Sequence, residues 1–526
     1  MAAVIASTAL GIALLLTPAA RAAPTALDRW SMHAAISLEV AINRVALGRA
    51  SHVDERVCRW LEAGDDPTLT FEDTWPLLSG SLNERLRLGL PTGPLLELPA
   101  ATAGSLERHA AGLVPYAHNE SAITWLVELL LRARPGSTLQ DALAGLHALR
   151  LGWLWLFALA LARGGASPLL VLASLFAATR LLAESIAEPS LVALYAGLLP
   201  ALLATAGGAS LLIGARAWRR GPVGAAWAVA CGVWATFVIN LRTSYAPIVL
   251  ALLAWVLVSA ALDLRAWTGG ASRRRRLAAA VAWGLGVALG GLALDRVAFR
   301  PAREVRSELN AHHHVVAHPL VLSLALPPND LARSEGIAWD DFRGIVIARR
   351  EDPAARYLRP GYEAALFSYY RRLWRERTWD MVRTYAAKLG TAGAATRAHC
   401  RGAFRDLSVG SFFVRTGTLP VLWVRHGLLF ALLAAVVIAA AWSSARAGLL
   451  PRGGSELLGA LGLTAALCYL EAALIVSTHS VAYHGFLAFF LVFVGLVVLT
   501  GSLDRLRLGC QRAAVVTPPA PPPARP

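Results

Sequence analysis

The sequence predicts an all-α polytopic membrane protein with about ten transmembrane helices and two large extracytoplasmic loops bearing amphipathic helices. Three observations lead there. Of 526 residues, 56% are hydrophobic, and the mean hydropathy is +0.52. Apolar runs near the roughly 20 residues that a helix needs to cross a bilayer recur along the chain. Arginines, finally, sort between alternate connections. Counted from an exported first loop, the inner connections hold Arg163, Arg216, Arg219, Arg220, Arg265, Arg273 to Arg276, Arg446, Arg452, Arg505, Arg507 and Arg512. That is fourteen, against Arg242 alone in the short outer connections. Cytoplasmic loops carry such an excess of positive charge, so both large loops face outward and the C-terminus lies inside. This is the layout expected of a multi-pass protein of a bacterial inner (plasma) membrane.

The formal net charge of +16 follows from the same arginines. Lys388 is the only lysine. The basic residues sit in short connections where topology explains them, so no nucleic-acid partner is implied. The five cysteines (Cys58, Cys231, Cys400, Cys468 and Cys510) form no CxxC or Cys/His metal pattern. Cys58 and Cys400 fall one in each large loop, where a disulfide and two isolated thiols are both open readings.

Residues 1–23 are apolar and end in Ala20-Arg21-Ala22-Ala23, which reads as a signal-anchor or a signal peptide. Lack of a charged n-region favours the anchor. Residues 24–147 form the first extracytoplasmic loop, where Asp54-Glu55, Asp65-Asp66 and Glu72-Asp73 read as a solvated face. Late in this loop Glu120 opens an amphipathic helix. Ile123, Leu126, Val127, Leu130 and Leu131 recur at helical spacing. Arg132, Arg134 and Pro135-Gly136 close it. An acid at a helix N-terminus is favoured by the dipole. On a membrane-surface helix Glu120 would stand at the water–lipid boundary. Equally, Glu120 is a plain helix-start residue with His118 or Asn119 as its cap.

Residues 148–295 read as a six-helix membrane core, with spans at 148–162, 168–187, 190–214, 222–240, 245–263 and 277–295. The second extracytoplasmic loop covers 296–422. Three C-terminal membrane helices occupy 423–500, near 424–443, 455–477 and 481–500. Residues 501–526 are a polar, then Pro-rich, cytoplasmic tail.

Ionisable groups within spans are costly and are functional candidates by default. Here they gather at the outer ends: Arg180 with Glu184 four residues on, Glu188 in the loop that follows, and Asn240, Arg242, Ser244 and Tyr245 in the next. Asp295, Arg296, Glu471, His479, Tyr483 and His484 complete the set. Greater polarity at any helix end accounts for part of this pattern, though not for the preference of the acids for one side. In the second loop Arg306 lies in an Arg/Glu-rich start. His314 and His318, at i and i+4, have the spacing to share a metal or to contact phosphate and hydroxyl groups. No metal site is assigned, and a divalent cation is the one cofactor left open. Asp340 and Asp341 follow Trp339 in a polar turn that reads either as a sugar-contact surface or as a turn into a helix at 341–350, with Asp340 as cap. Tyr362–Arg377 and Trp379–Lys388 read as amphipathic helices suited to the lipid–water boundary.

This layout resembles the GT-C class of integral-membrane glycosyltransferases. The resemblance is mainly one of topology. A first outer loop carries an acid at the start of a surface helix (Glu120), a second large outer loop follows the seventh span (296–422), and Glu184 or Glu188 matches a further acid after the third span. The class commonly has Asp-Glu where this chain has Asn119-Glu120. The resemblance implies transfer of a sugar from a polyprenyl-phosphate donor to a glycan, lipid or protein acceptor at the extracytoplasmic face, without a nucleotide-sugar fold. Glu120, Glu184 and Glu188 are then the catalytic candidates. His118, Asn119, Arg180, Arg242, Tyr245, Arg306, His314, His318, Asp340 and Asp341 are the substrate-binding ones. An O-antigen-type polysaccharide polymerase or ligase would lean instead on Arg303, Arg306, His314 and His318. A lipid or glycan transporter, or a non-catalytic assembly subunit, is the third reading.

Overall fold

The computed structural model describes residues 40–41, 44–45, 52–54, 113–115, 121–133, 139–163, 166–187, 199–215, 221–265, 270–303, 315–340, 343–403, 454–475 and 481–516. Among these the chain is helical apart from turns and one antiparallel ladder, in which β1 (His52–Asp54) pairs with β2 (Leu113–Pro115).

The amphipathic helix expected after Glu120 is α1 (Ser121–Ala133). Its Ile123, Leu126, Val127 and Leu131 are buried, as their spacing requires. Its buried face also holds Glu128, ion-paired to Arg44 at 3.2 Å and to Arg132 at 3.0 Å. Six long helices follow: α2 (Leu139–Arg163), α3 (Pro168–Ala187), α4 (Leu199–Ala215), α5 (Pro222–Leu241), α6 (Ala246–Arg265) and α7 (Gly270–Leu294). They fall on the six expected core spans, and α2 begins nine residues early. A π-helical turn (Asp295–Phe299) extends α7, and the short α8 (Arg300–Arg303) follows it.

Among the described residues, five helical stretches are long and apolar enough to cross a membrane: Pro222–Leu241, Thr243–Leu262, Arg274–Phe299, Glu456–Leu474 and Tyr483–Thr500. Shorter apolar stretches lie at Gly152–Ala162, Pro168–Leu182 and Leu199–Leu211. The expected span at 424–443 and the segment 1–23 lie outside the described residues. On α7, Leu277, Val281, Leu285, Leu289 and Leu292 form an exposed stripe at helical spacing. So continuous an apolar face requires lipid or a partner to cover it.

Among the described residues, the opposite face of α7 packs on α5 more extensively than any other helix pair. Glycine makes this approach possible. A Cβ on Gly232 would overlap the Val287 carbonyl, and one on Gly290 the Val229 carbonyl. Gly232→Ala is therefore expected to push α5 and α7 apart and cost about 1–3 kcal/mol. Thermal unfolding in detergent micelles would read this. Gly284→Ala is the control, because its new Cβ meets nothing within 4 Å.

Residues 317–403 build a second layer from α9 (Ala317–Leu322), a 3₁₀ turn (Ser323–Ala325), α10 (Asp330–Glu335), α11 (Arg343–Glu351), α12 (Tyr362–Glu376) and α13 (Thr378–Ala403). Its caps follow from sequence. The Glu363 carboxylate accepts from the Val316 and Ala317 amides at the start of α9, at 2.9 and 3.0 Å. Asn329 Oδ1 accepts from the Ala332 amide at 2.9 Å, and Gly336, at φ 66°, closes α10 in the left-handed region. The second amphipathic helix runs fifteen residues past the Lys388 end expected of it. After a gap in the described residues come α14 (Gly454–Leu470), continued by a π-helical turn (Glu471–Ile475), and α15 (Val481–Val516). α13 packs along α3, α15 and the Glu471 turn, so this layer is joined directly to the apolar helices.

Candidate functional site

Three helix ends meet where α5 stops. Arg242 leaves the helix in an extended conformation, at φ −156° and ψ 123°, and a 3₁₀ turn (Thr243–Tyr245) carries the chain into α6. The turn is closed by the Tyr245 amide donating to the Arg242 carbonyl at 2.9 Å. The Arg242 guanidinium stands over the ring of Tyr483, 5.8 Å from its centroid. Tyr483 is fully buried, donates its hydroxyl to Ser244 Oγ, and meets the Tyr245 ring edge-on at 5.6 Å. Arg242, half-buried, thus keeps a planar cationic fork beside an aromatic ring. Such a fork suits phosphate recognition.

Glu471 completes the cluster. It is 5% exposed and opens the π-helical turn that ends α14. Its charge interacts with that of Arg242, and Tyr483 lies within electrostatic reach of both. Its Oε2 is buried with no hydrogen-bond partner. Such an atom costs about 1–3 kcal/mol, and π-turns recur at functional sites. A buried carboxylate with an open acceptor beside an arginine is arranged to receive a hydroxyl.

The N-terminus of α1 reaches the same place. Ser121 Oγ donates to Asn240 Oδ1 at 3.1 Å, and Asn240 Nδ2 donates to the Thr236 carbonyl at 2.8 Å. Trp125 packs edge-on against Phe237 of α5 and Phe299 of the first π-turn, which fixes α1 across the ends of α5 and α7.

The expected site residues divide. Arg242 and Tyr245 are brought together, with Ser121 joined to Asn240 nearby. Arg180 is elsewhere: its Nε donates to the Ala403 carbonyl at 2.8 Å and joins α3 to α13. His318 is 4% exposed, and its Nδ1 lies 2.8 Å from the Tyr362 hydroxyl, with Tyr357 packed beside both. That is a packing histidine. Asp340 is half-buried in the turn before α11, and its carbonyl accepts from the Arg343 amide at 2.9 Å. This favours the turn reading of the Trp339–Asp340 stretch over the sugar-contact one. Glu184 lies on α3, with its side chain outside what is described. His118, Asn119, Glu120, Glu188, Arg306, His314, Asp341 and Cys58 lie outside the described residues. Among the described residues no group of three or more His, Cys, Asp or Glu is arranged to hold a metal.

Two groups gain a significance that sequence reading did not assign. Glu471 stood out as an acid at a span end, but its neighbours come from α5 and α15, over two hundred residues away in one case. Lys388, conspicuous as the only lysine, is fully buried on α13. Its Nζ donates to Ser323 Oγ at 2.6 Å and, more loosely, to the Leu474 carbonyl at 3.4 Å, and lies 5.2 Å from the Tyr385 ring centroid. Burial lowers its pKa to about 7, and raises that of Tyr385, whose hydroxyl pairs with Tyr370 at 2.6 Å. No family model matches the chain, no curated protein matches it and no solved structure matches it, so its function is argued from these side chains.

Proposed function

We propose that the chain is a membrane glycosyltransferase that moves a sugar from a polyprenyl-phosphate donor to a hydroxyl acceptor at the extracytoplasmic face. The observation that carries this reading is that Arg242 stands within electrostatic reach of a buried carboxylate with an open acceptor, Glu471, where three helix ends converge. The arginine count assigns that end of the helices to the outside.

In the proposed reaction Arg242 holds the donor phosphate and neutralises the charge that grows on it as the leaving group. A carboxylate takes the proton of the acceptor hydroxyl. The acceptor oxygen attacks the anomeric carbon, the bond from that carbon to the phosphate oxygen breaks, and its electron pair leaves with polyprenyl phosphate. One displacement inverts the configuration. Glu120 is the base on the grounds of its place in the chain, one residue before Ser121, whose hydroxyl is bonded to Asn240 two residues from Arg242. Glu471 accepts a substrate hydroxyl through Oε2.

The polymerase or ligase alternative draws on His318, and the packing of that ring against Tyr357 and Tyr362 counts against it. Glu120→Gln and Arg306→Ala, compared in the native host at matched membrane levels, separate the two. Loss of one sugar from the surface glycan with Glu120→Gln alone, read by mass spectrometry, is the expected result. Unpolymerised or unligated glycan with Arg306→Ala alone would replace the transferase reading by the alternative. A normal glycan in both variants would remove both enzymes and leave transport or assembly.

A further inference from the structure

The buried lysine sits where the two layers of the protein join. Lys388 comes from α13, Ser323 from the turn after α9, and the Leu474 carbonyl from the π-turn that Glu471 opens. That carbonyl belongs to the end of a helical segment, where backbone acceptors lack intrahelical donors. A second tie runs in parallel, from the Tyr469 hydroxyl to the Leu389 carbonyl at 2.8 Å. Ser323 passes its own proton to the Leu320 carbonyl at 3.3 Å, so its oxygen is free to accept from Lys388. Neither Ser323 nor Lys388 has exposed surface, which leaves no approach for a substrate to a nucleophile–base pair. What remains is a donor that bridges two elements.

We propose that Lys388 is a positioning residue: it ties the Glu471 turn to the second layer, and the charge on its amine sets how firmly that turn is held. The proposal rests on the reading of the Glu471–Arg242 cluster as the working site. Burial disfavours the ammonium, so the neutral amine keeps the tie and protonation loosens it. Loosening the turn would therefore move the carboxylate that the site depends on.

Several charged and titratable groups on the elements around α13 have partners of their own. On α15, His484 Nδ1 pairs with Thr396 at 3.0 Å. On α3, Arg180 is bonded to the Ala403 carbonyl. On α12, Tyr370 pairs with Tyr385, and Tyr369 donates to Glu335. On α10, Asp330 pairs with Arg333, and Glu335 also meets Arg350 and Arg377. Glu471 heads the same π-turn as Leu474. Desolvation is the cause that lowers the Lys388 amine to about 7. Below that pH it is an ammonium in the folded protein; between about 7 and 10.5 it is neutral when folded and charged when unfolded.

A single lysine makes the test clean. Full-length protein in nanodiscs, labelled with 13Cε-lysine, gives one side-chain signal. It is expected to titrate near pH 7, and a midpoint near the ordinary 10.5 would overturn the proposal. Hydrogen exchange across 471–475, corrected for intrinsic rates, is expected to show about tenfold less protection at pH 6 than at pH 8.5, the equivalent of roughly 1.4 kcal/mol, because opening hydrates the amine and is favoured when it can take up a proton. In Lys388→Met protection should be low at both. Protection that ignores pH in the wild type, or survives unchanged in a folded Lys388→Met, overturns the tie. If that variant does not fold, the two wild-type measurements decide. Neither readout uses a substrate, so the tie and the sugar-transfer reading can fail separately.

Discussion

Arg242→Gln is expected to weaken binding of a short-chain polyprenyl phosphate by roughly 10- to 150-fold, the worth of a charge-assisted hydrogen bond at about 1.5–3 kcal/mol. Transfer should fall further, by about 10²–10³-fold, because the leaving phosphate gains charge as the bond breaks. The fold should survive. Arg242 is half-buried and its contact with Tyr483 is a cation–π one, worth about 0.5–1 kcal/mol where water is near. Arg242→Lys separates charge from geometry. It keeps the cation and loses the planar fork, so an intermediate affinity means that the phosphate is held by two parallel bonds. The measurement is a binding isotherm in nanodiscs with the phosphate alone, which needs no knowledge of the sugar. Undiminished affinity in Arg242→Gln would remove this residue, and with it the proposed site.

Glu471→Gln is the second large effect, and its sign on stability is the informative part. A buried carboxylate oxygen without a partner costs about 1–3 kcal/mol, and the amide carries no charge to desolvate. The variant is expected to unfold later than the wild type, by about 1 kcal/mol, while losing about 10–100-fold in transfer, since the hydroxyl acceptor becomes a neutral one. Stability gained against activity lost marks a group kept for function. A carboxylate kept for architecture would show the opposite, with earlier melting and unchanged turnover. Thermal melts and single-turnover transfer on the same preparations distinguish them.

Much of the helical layout was legible because it rests on local pattern. The period of Ile123, Leu126, Val127 and Leu131 marks α1, and the six core runs mark α2 to α7, with described starts displaced by up to nine residues. The extension of α13 to Ala403 was harder to see. Gly390 and Gly393 with a run of alanines and threonines carry little amphipathic signal, and it is packing on α3 and α15 that holds this stretch helical. The polar cluster was half legible. Arg242 and Tyr245 stand out as an interruption between two apolar runs. Glu471 and Tyr483 could be noted only as polar groups at another span end, because nothing local to them says which of several ends they join. His318 shows the reverse failure. Its spacing from His314 suggested a ligand, whereas Tyr357 and Tyr362, forty residues on, make it part of a core.

Ser244 and Tyr483 are 239 residues apart in sequence. At a synthesis rate of about 5–20 residues per second, roughly 10 to 50 seconds separate their appearance at the ribosome. For that interval α5 and α6 exist without the aromatic ring that Arg242 faces in the finished protein. The cluster is thus one of the last places to be completed during biogenesis. A chain released before its final helix would lack Tyr483, and with it both the ring that Arg242 faces and the hydroxyl that donates to Ser244.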